Sequence, residues 1–102
     1  NDTPVTPISP LMDVFSAVNR LTSSGKVLGP DQRIDVMEAL RGVTINGAYM
    51  QRLEDKIGSL EKGKLADMVI LDKDPTKVDP VKLKDIMVEE TIVGGNTVYK
   101  RA

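Results

Sequence analysis

Gly58-Ser59-Leu60-Glu61-Lys62-Gly63-Lys64-Leu65-Ala66-Asp67-Met68-Val69-Ile70-Leu71-Asp72-Lys73-Asp74-Pro75 is the stretch on which the fold turns. It contains the longest apolar run of the chain, Met68-Val69-Ile70-Leu71. That run is short, partly β-branched and bounded by charged and turn residues, which favours a strand buried on both faces over a helix. Gly58 and Gly63 punctuate the approach, where tight turns need φ angles that glycine adopts cheaply. Asp74-Pro75 ends the run, because proline has no N–H to give to a ladder.

Downstream, Lys73 to Asp85 is rich in lysine, aspartate and proline and reads as a loop with one helical turn after Asp79-Pro80. Met87–Val93 and Thr97–Lys100 favour strand, and Gly94-Gly95-Asn96 between them supplies the positive φ angles of a hairpin. Lys100-Arg101-Ala102 reads as a solvated tail.

Upstream, Asn1 to Ser9 carries Pro4 and Pro7 and reads as extended, irregular chain. Ser9-Pro10 is a helix start, with serine as cap and proline in the first turn. Leu11, Val14, Phe15, Val18 and Leu21 then recur at helical spacing, as a core-facing stripe expected to stop near Ser23-Ser24-Gly25. Lys26 to Arg33 is a loop around Gly29-Pro30. Asp35-Val36-Met37-Glu38 resembles a capping box, with Ile34 placed to staple onto Ala39 and a short helix through Leu40. Thr44 is placed to cap a second short helix through Ala48, Tyr49 and Leu53. Helices come first and strands second, so the expected class is α+β: N-terminal helices, then a small antiparallel or mixed sheet with a C-terminal hairpin.

At 102 residues, one small domain is the natural reading, and it buries roughly 65% of its unfolded surface. Fourteen basic and fifteen acidic residues leave a net charge of −1, which gives no electrostatic case for nucleic acid or an anionic membrane surface. No stretch is long and apolar enough to span a bilayer. The lysines at 62, 64, 73, 77, 82 and 84 alternate with acids and read as a solvated surface. Cysteine is absent, which excludes disulfides and thiolate metal sites.

Histidine is absent too, and histidine is the commonest transition-metal ligand and general base near neutral pH. A catalytic metal centre built from this chain alone would need carboxylates only. Asn1-Asp2-Thr3-Pro4 is neither basic nor apolar, and the chain does not begin with methionine. It is therefore expected to be a processed or excised piece whose missing signal says nothing of its parent. The compartment stays open, with the cytoplasm as the working expectation.

Asp67 lies beside the apolar run, where it could cap turn N–H groups or pair with Lys64. Asp72 and Asp74 fall at the strand end and read as solvated. Gly58, Gly63, Gly94 and Gly95 lack the spacing of a phosphate cradle and read as turns.

The ten residues Gly58 to Asp67, followed by an apolar strand, resemble the G-S-L-E-x-G-K-x-A-D signature near the carboxyl end of metal-dependent amidohydrolases. The resemblance is to the branch that includes N-substituted formamide deformylases. Asn1-Asp2-Thr3-Pro4-Val5 is similar to that family's S-D-x-P-V sequence at the end of the eighth barrel strand. By this resemblance Asp2 takes the place of an aspartate that binds metal and exchanges a proton with metal-bound water. Asn1 stands where the family has Gly-Ser or Gly-Thr. In the isolated chain Asp2 reads as a residue of a frayed terminus.

The resemblance implies that residues 1–57 are a helical segment like the end of a (β/α)8 barrel. It implies that residues 58–102 are the carboxyl-terminal share of a β-sandwich drawing strands from both chain ends. The parent would use a divalent, zinc-like metal to hydrolyse a non-peptide carbon–nitrogen bond of a small amide or cyclic amide. This chain would hold no cofactor and be inactive alone, since a barrel needs about 250 residues. Strands without their upstream partners leave open edges and bare apolar faces, so a homodimer or higher oligomer is expected. The competing reading is a free-standing, non-catalytic interaction module.

Overall fold

The computed structural model describes residues 9–102. In chain order it contains α1 (Pro10–Asn19), α2 (Val36–Gly42), α3 (Ile45–Met50), β1 (Met68–Leu71), β2 (Val88–Val93) and β3 (Asn96–Lys100). Short 3₁₀ helices lie at Pro30–Gln32 and Pro80–Asp85. The strands form one antiparallel sheet in the order β1-β2-β3. Helices followed by a small sheet ending in a hairpin is the α+β arrangement expected from the order of signals. The described residues hold a single sheet, with no second sheet facing it, so they do not by themselves make a sandwich.

The Ser9 hydroxyl accepts the Met12 N–H, and Pro10 occupies the first turn, which starts α1 as the sequence implies. The helix ends at Asn19, earlier than Ser23-Ser24-Gly25 suggests. Arg20 turns left-handed with φ 57°, and its N–H is satisfied by the Ser16 carbonyl. The Arg20 carbonyl then accepts from the Leu28 N–H at 2.9 Å, and Leu21 bridges antiparallel to Val27. This small reversal takes up backbone groups that another helical turn would have used, so Leu21 reaches the core from outside the helix.

Asp35 caps α2 by accepting the Glu38 N–H at 2.7 Å, and the helix continues beyond Leu40 to Gly42. Thr44 sits at the start of α3 but does not cap it. Its hydroxyl donates backwards to the Leu40 carbonyl at 2.7 Å. α3 closes at Met50, and Leu53 follows in a turn tied by its N–H to the Ala48 carbonyl.

The core lies between α1, α2 and the second 3₁₀ helix. Val14, Phe15, Ala39, Leu83 and Ile86 are buried there, with Leu71 of β1 packed against them. Asn19 is also buried, and its amide donates to the Phe15 carbonyl at 3.1 Å and the Pro80 carbonyl at 2.8 Å. A buried amide is stable only when paired in this way, so Asn19 fixes the end of α1 against the start of the 3₁₀ helix.

β1 departs from expectation. It is an edge strand, and Val69 and Ile70 are 54% and 47% exposed. Its apolar composition fits burial on both faces, but no second layer among the described residues covers it. Lys100, Arg101 and Ala102 are exposed, as a solvated tail should be. Lys100 closes β3, and Arg101 pairs with Glu89 of β2 at 3.0 Å.

Candidate functional site

Gly58 begins the motif with φ +97° because it lies against α3. A Cβ at this position would fall 2.9 Å from Ala48 Cβ and 3.0 Å from Ile45 Cα. Ser59 then donates to Glu61 Oε2 at 2.5 Å, and the Lys64 ammonium donates to Ser59 Oγ at 2.7 Å. Lys64 also lies 3.1 Å from Glu61 Oε2. The Ser59 hydroxyl first, then the Lys64 hydrogen bond and charge, hold the Glu61 carboxyl below its ordinary value.

The Leu65 N–H donates to the Lys56 carbonyl at 2.8 Å, folding the loop back on itself. At the motif's end, Asp67 Oδ1 accepts the Gly94 N–H at 2.8 Å, and the Ala66 carbonyl accepts the Gly95 N–H at 2.9 Å. Gly94 and Gly95 have φ 57° and 83°, as the hairpin turn requires. Of the two roles open to Asp67, the structure therefore selects capping of turn N–H groups, and Lys64 goes to Glu61 instead. The motif is a strap from α3 to the tip of the β2–β3 hairpin.

Beside the strap runs an open groove of about 640 Å³ between the α2–α3 segment and β1. Val43, Ala48, Ile57, Leu60, Met68 and Val69 give it an apolar lining. Its one ionisable lining residue is Asp67, whose Oδ1 is taken by Gly94. A groove of this character suits apolar chain or side chains; it offers no pair of groups for proton transfer.

The other carboxylates single out no reaction centre. Asp72 accepts the Met87 N–H at 2.9 Å. Asp74 accepts the Thr76 N–H at 2.8 Å and its hydroxyl at 2.6 Å. The hydroxyl first and then the N–H hold the Asp74 carboxyl below its ordinary value. Among the described residues, no three of His, Cys, Asp and Glu come together as metal ligands. The donor set does not fit a divalent ion, and no catalytic step is assigned to these residues. Asp2, which the resemblance implies as metal ligand and proton acceptor, lies outside the described residues.

Sequence reasoning passed over Glu54. Its Oε2 atom is shielded from solvent and has no hydrogen-bond partner. It borders a hollow of about 490 Å³ with Tyr49, Met50 and Arg52. Its place in the run Arg52-Leu53-Glu54-Asp55-Lys56 looks like ordinary surface charge, so no signal marked it.

The family model described as "Amidohydrolase family" matches residues 1–99, and the chain belongs to that family. An N-substituted formamide deformylase of Arthrobacter pascens is 37% identical over 101 residues, 99% of this chain and 19% of that protein. The Arabidopsis thaliana protein LONG AFTER FAR-RED 3 is 37% identical over 102 residues, 97% of this chain and 17% of its own length. The crystal structure of an amidohydrolase from Thermotoga maritima MSB8 superposes with a TM-score of 0.73 at 27% identity, covering 98% of this chain and 22% of that one. The chain thus spans about a fifth of the length of the relatives it matches.

Proposed function

We propose that this chain is the carboxyl-terminal part of a metal-dependent amidohydrolase that hydrolyses a non-peptide carbon–nitrogen bond, and that its own share of the work is structural. The observation that carries the reading is that nearly the whole chain matches one fifth of the N-substituted formamide deformylase. That relative's name makes an N-substituted formamide the first substrate to try. Residues 1–57 belong to the end of the barrel, and residues 58–102 to a sheet completed by strands from elsewhere in the parent. The strap from Gly58 to Asp67 holds the two parts in register.

In this reading the parent's divalent metal is held mainly by residues outside this chain. Asp2 adds one carboxylate and accepts a proton during hydrolysis. A positioned general base of this kind contributes about 10²–10⁴-fold.

The test is hydrolysis of an N-substituted formamide by the full-length protein. Activity is expected to disappear with a chelator and return with zinc. Asp2→Asn is expected to lower kcat/KM by about 10²-fold or more. An Asp2→Asn enzyme as active as the parent, or hydrolysis by the 102-residue chain alone, would overturn the proposal. The coding sequence upstream should carry a His-x-His pair after an early strand.

A further inference from the structure

We infer that Asn46-Gly47 is a site of spontaneous deamidation, and that the isoaspartate formed there loosens the seat of the strap on α3. The pair is the single Asn-Gly step of the chain. A glycine after asparagine leaves the peptide nitrogen least crowded, because glycine carries no Cβ. The Asn46 side chain is exposed, and among the described residues its amide makes no hydrogen bond.

A helix ordinarily protects asparagine by tying up the N–H that follows it, and α3 does not do so here. Thr44 does not cap it, and its first turn is closed by the Ala48 N–H on the Thr44 carbonyl at 3.0 Å. The Gly47 N–H, one residue earlier, has no acceptor among the described residues, as a first turn leaves it. α3 is six residues long and contains asparagine and glycine, both weak helix formers. The local opening that brings the Gly47 nitrogen onto Asn46 Cγ therefore requires little free energy.

The co-reactant is water. The Gly47 nitrogen loses its proton and attacks Asn46 Cγ. A new C–N bond forms there, the bond from Cγ to the side-chain nitrogen breaks, and ammonia leaves carrying the equivalent of that proton. Water then opens the cyclic imide on one of its two sides. Opening at Cγ leaves aspartate, whereas opening at the main-chain carbonyl leaves isoaspartate, with one extra carbon in the backbone. That carbon falls between Ile45 and Ala48, the two residues that a Cβ at Gly58 would strike. An α3 lengthened between them cannot keep both against Gly58, where the strap begins.

The full-length protein would be aged at mildly alkaline pH, and each asparagine followed by peptide mass. Asn46 is expected to deamidate about tenfold or more faster than Asn96, which precedes threonine, and than the buried, paired Asn19. Gly47→Ala is the control, because its Cβ would meet nothing nearer than the Gly42 carbonyl oxygen at 3.7 Å. It should keep the fold and slow the reaction at Asn46 by about tenfold or more. In the isoaspartyl molecules the Leu53 and Leu65 amides, bonded to the Ala48 and Lys56 carbonyls, should exchange with solvent about tenfold or more faster. Asn46 intact after Asn96 has reacted, an undiminished rate in Gly47→Ala, or unchanged exchange at Leu53 and Leu65 would each overturn the inference. None of these readouts is catalytic, so they stand or fall apart from the reaction assigned to the parent.

Discussion

Gly58 and Gly63 look alike in sequence and differ in what surrounds them. Both are left-handed, with φ +97° and +94°, but nothing lies within 4 Å of a Cβ at 63, whereas Ala48 and Ile45 block one at 58. Gly63→Ala is therefore expected to cost about 1–2 kcal/mol of backbone preference alone. Gly58→Ala adds overpacking and is expected to cost about 2–4 kcal/mol in all. Urea unfolding of the two variants checks this, and equal losses would refute the close approach at Gly58. The need for a turn at both positions was legible, because tight turns need φ angles that glycine adopts cheaply. Contact with a helix ten residues earlier was not, since spacing carries no distance information.

Glu61 adds a prediction in pH: its ionised form is favoured by folding, so its stabilising contribution is complete above its ordinary 4.5 and lost as pH falls through the lower folded value. Ser59→Ala removes the largest cause. The Glu61 titration followed by carboxyl NMR should then move up toward 4.5, and a titration that stays put would refute the hydroxyl's role.

Among the elements, the pairing of α1 with the 3₁₀ helix at Pro80–Asp85 holds most of the core. Leu83 is 0% exposed and Val14 1%. Leu83→Ala is expected to cost about 2–5 kcal/mol, the range for a buried leucine whose cavity cannot fully collapse. Asn19→Ala should cost about 1–3 kcal/mol by leaving the Pro80 carbonyl unpaired. Chemical denaturation measures both, and a Leu83→Ala loss below about 1 kcal/mol would show that this packing is not formed in solution.

The helical turn after Asp79-Pro80 could be read from its cap and proline, and Asp79 does accept the Val81 N–H. The burial of Leu83 could not, because Lys82, Lys84 and Asp85 surround it and a six-residue 3₁₀ helix is too short to display an apolar period. The end of α1 was misplaced for a related reason. Gly25 advertises a stop, but the Arg20 guanidinium donates from Nε to the Leu28 carbonyl at 2.9 Å and fixes the reversal five residues sooner. Asp67 shows the same limit at the candidate site: a capping role was among its options, but its partner, Gly94, lies 27 residues away.

At the scale of the whole molecule, the described residues leave large apolar side chains uncovered. Much of the exposed area is apolar and lies on the sheet and α3: Val69, Ile70, Val98, Tyr99 and Met50 are each between 47% and 85% exposed.

The sheet also has two unpaired edges, β1 and β3. β3 carries an irregularity around Val98 that blunts its edge, whereas the outer side of β1 borders the apolar groove. Released from its parent, the 102-residue chain is therefore expected to self-associate through β1 and the adjoining groove. Static light scattering over a dilution series should show a mass above 11.1 kDa that falls toward it on dilution. Val69→Lys, at a half-exposed edge position, should shift that equilibrium toward monomer by introducing a charge that a paired edge must desolvate. In the full-length protein the same substitution should instead lower stability, because there the parent's own strands would cover the edge. A chain that stays monomeric at every concentration while unfolding cooperatively would mean that its open edge and groove need no cover, and the view of an incomplete sheet would fall with it.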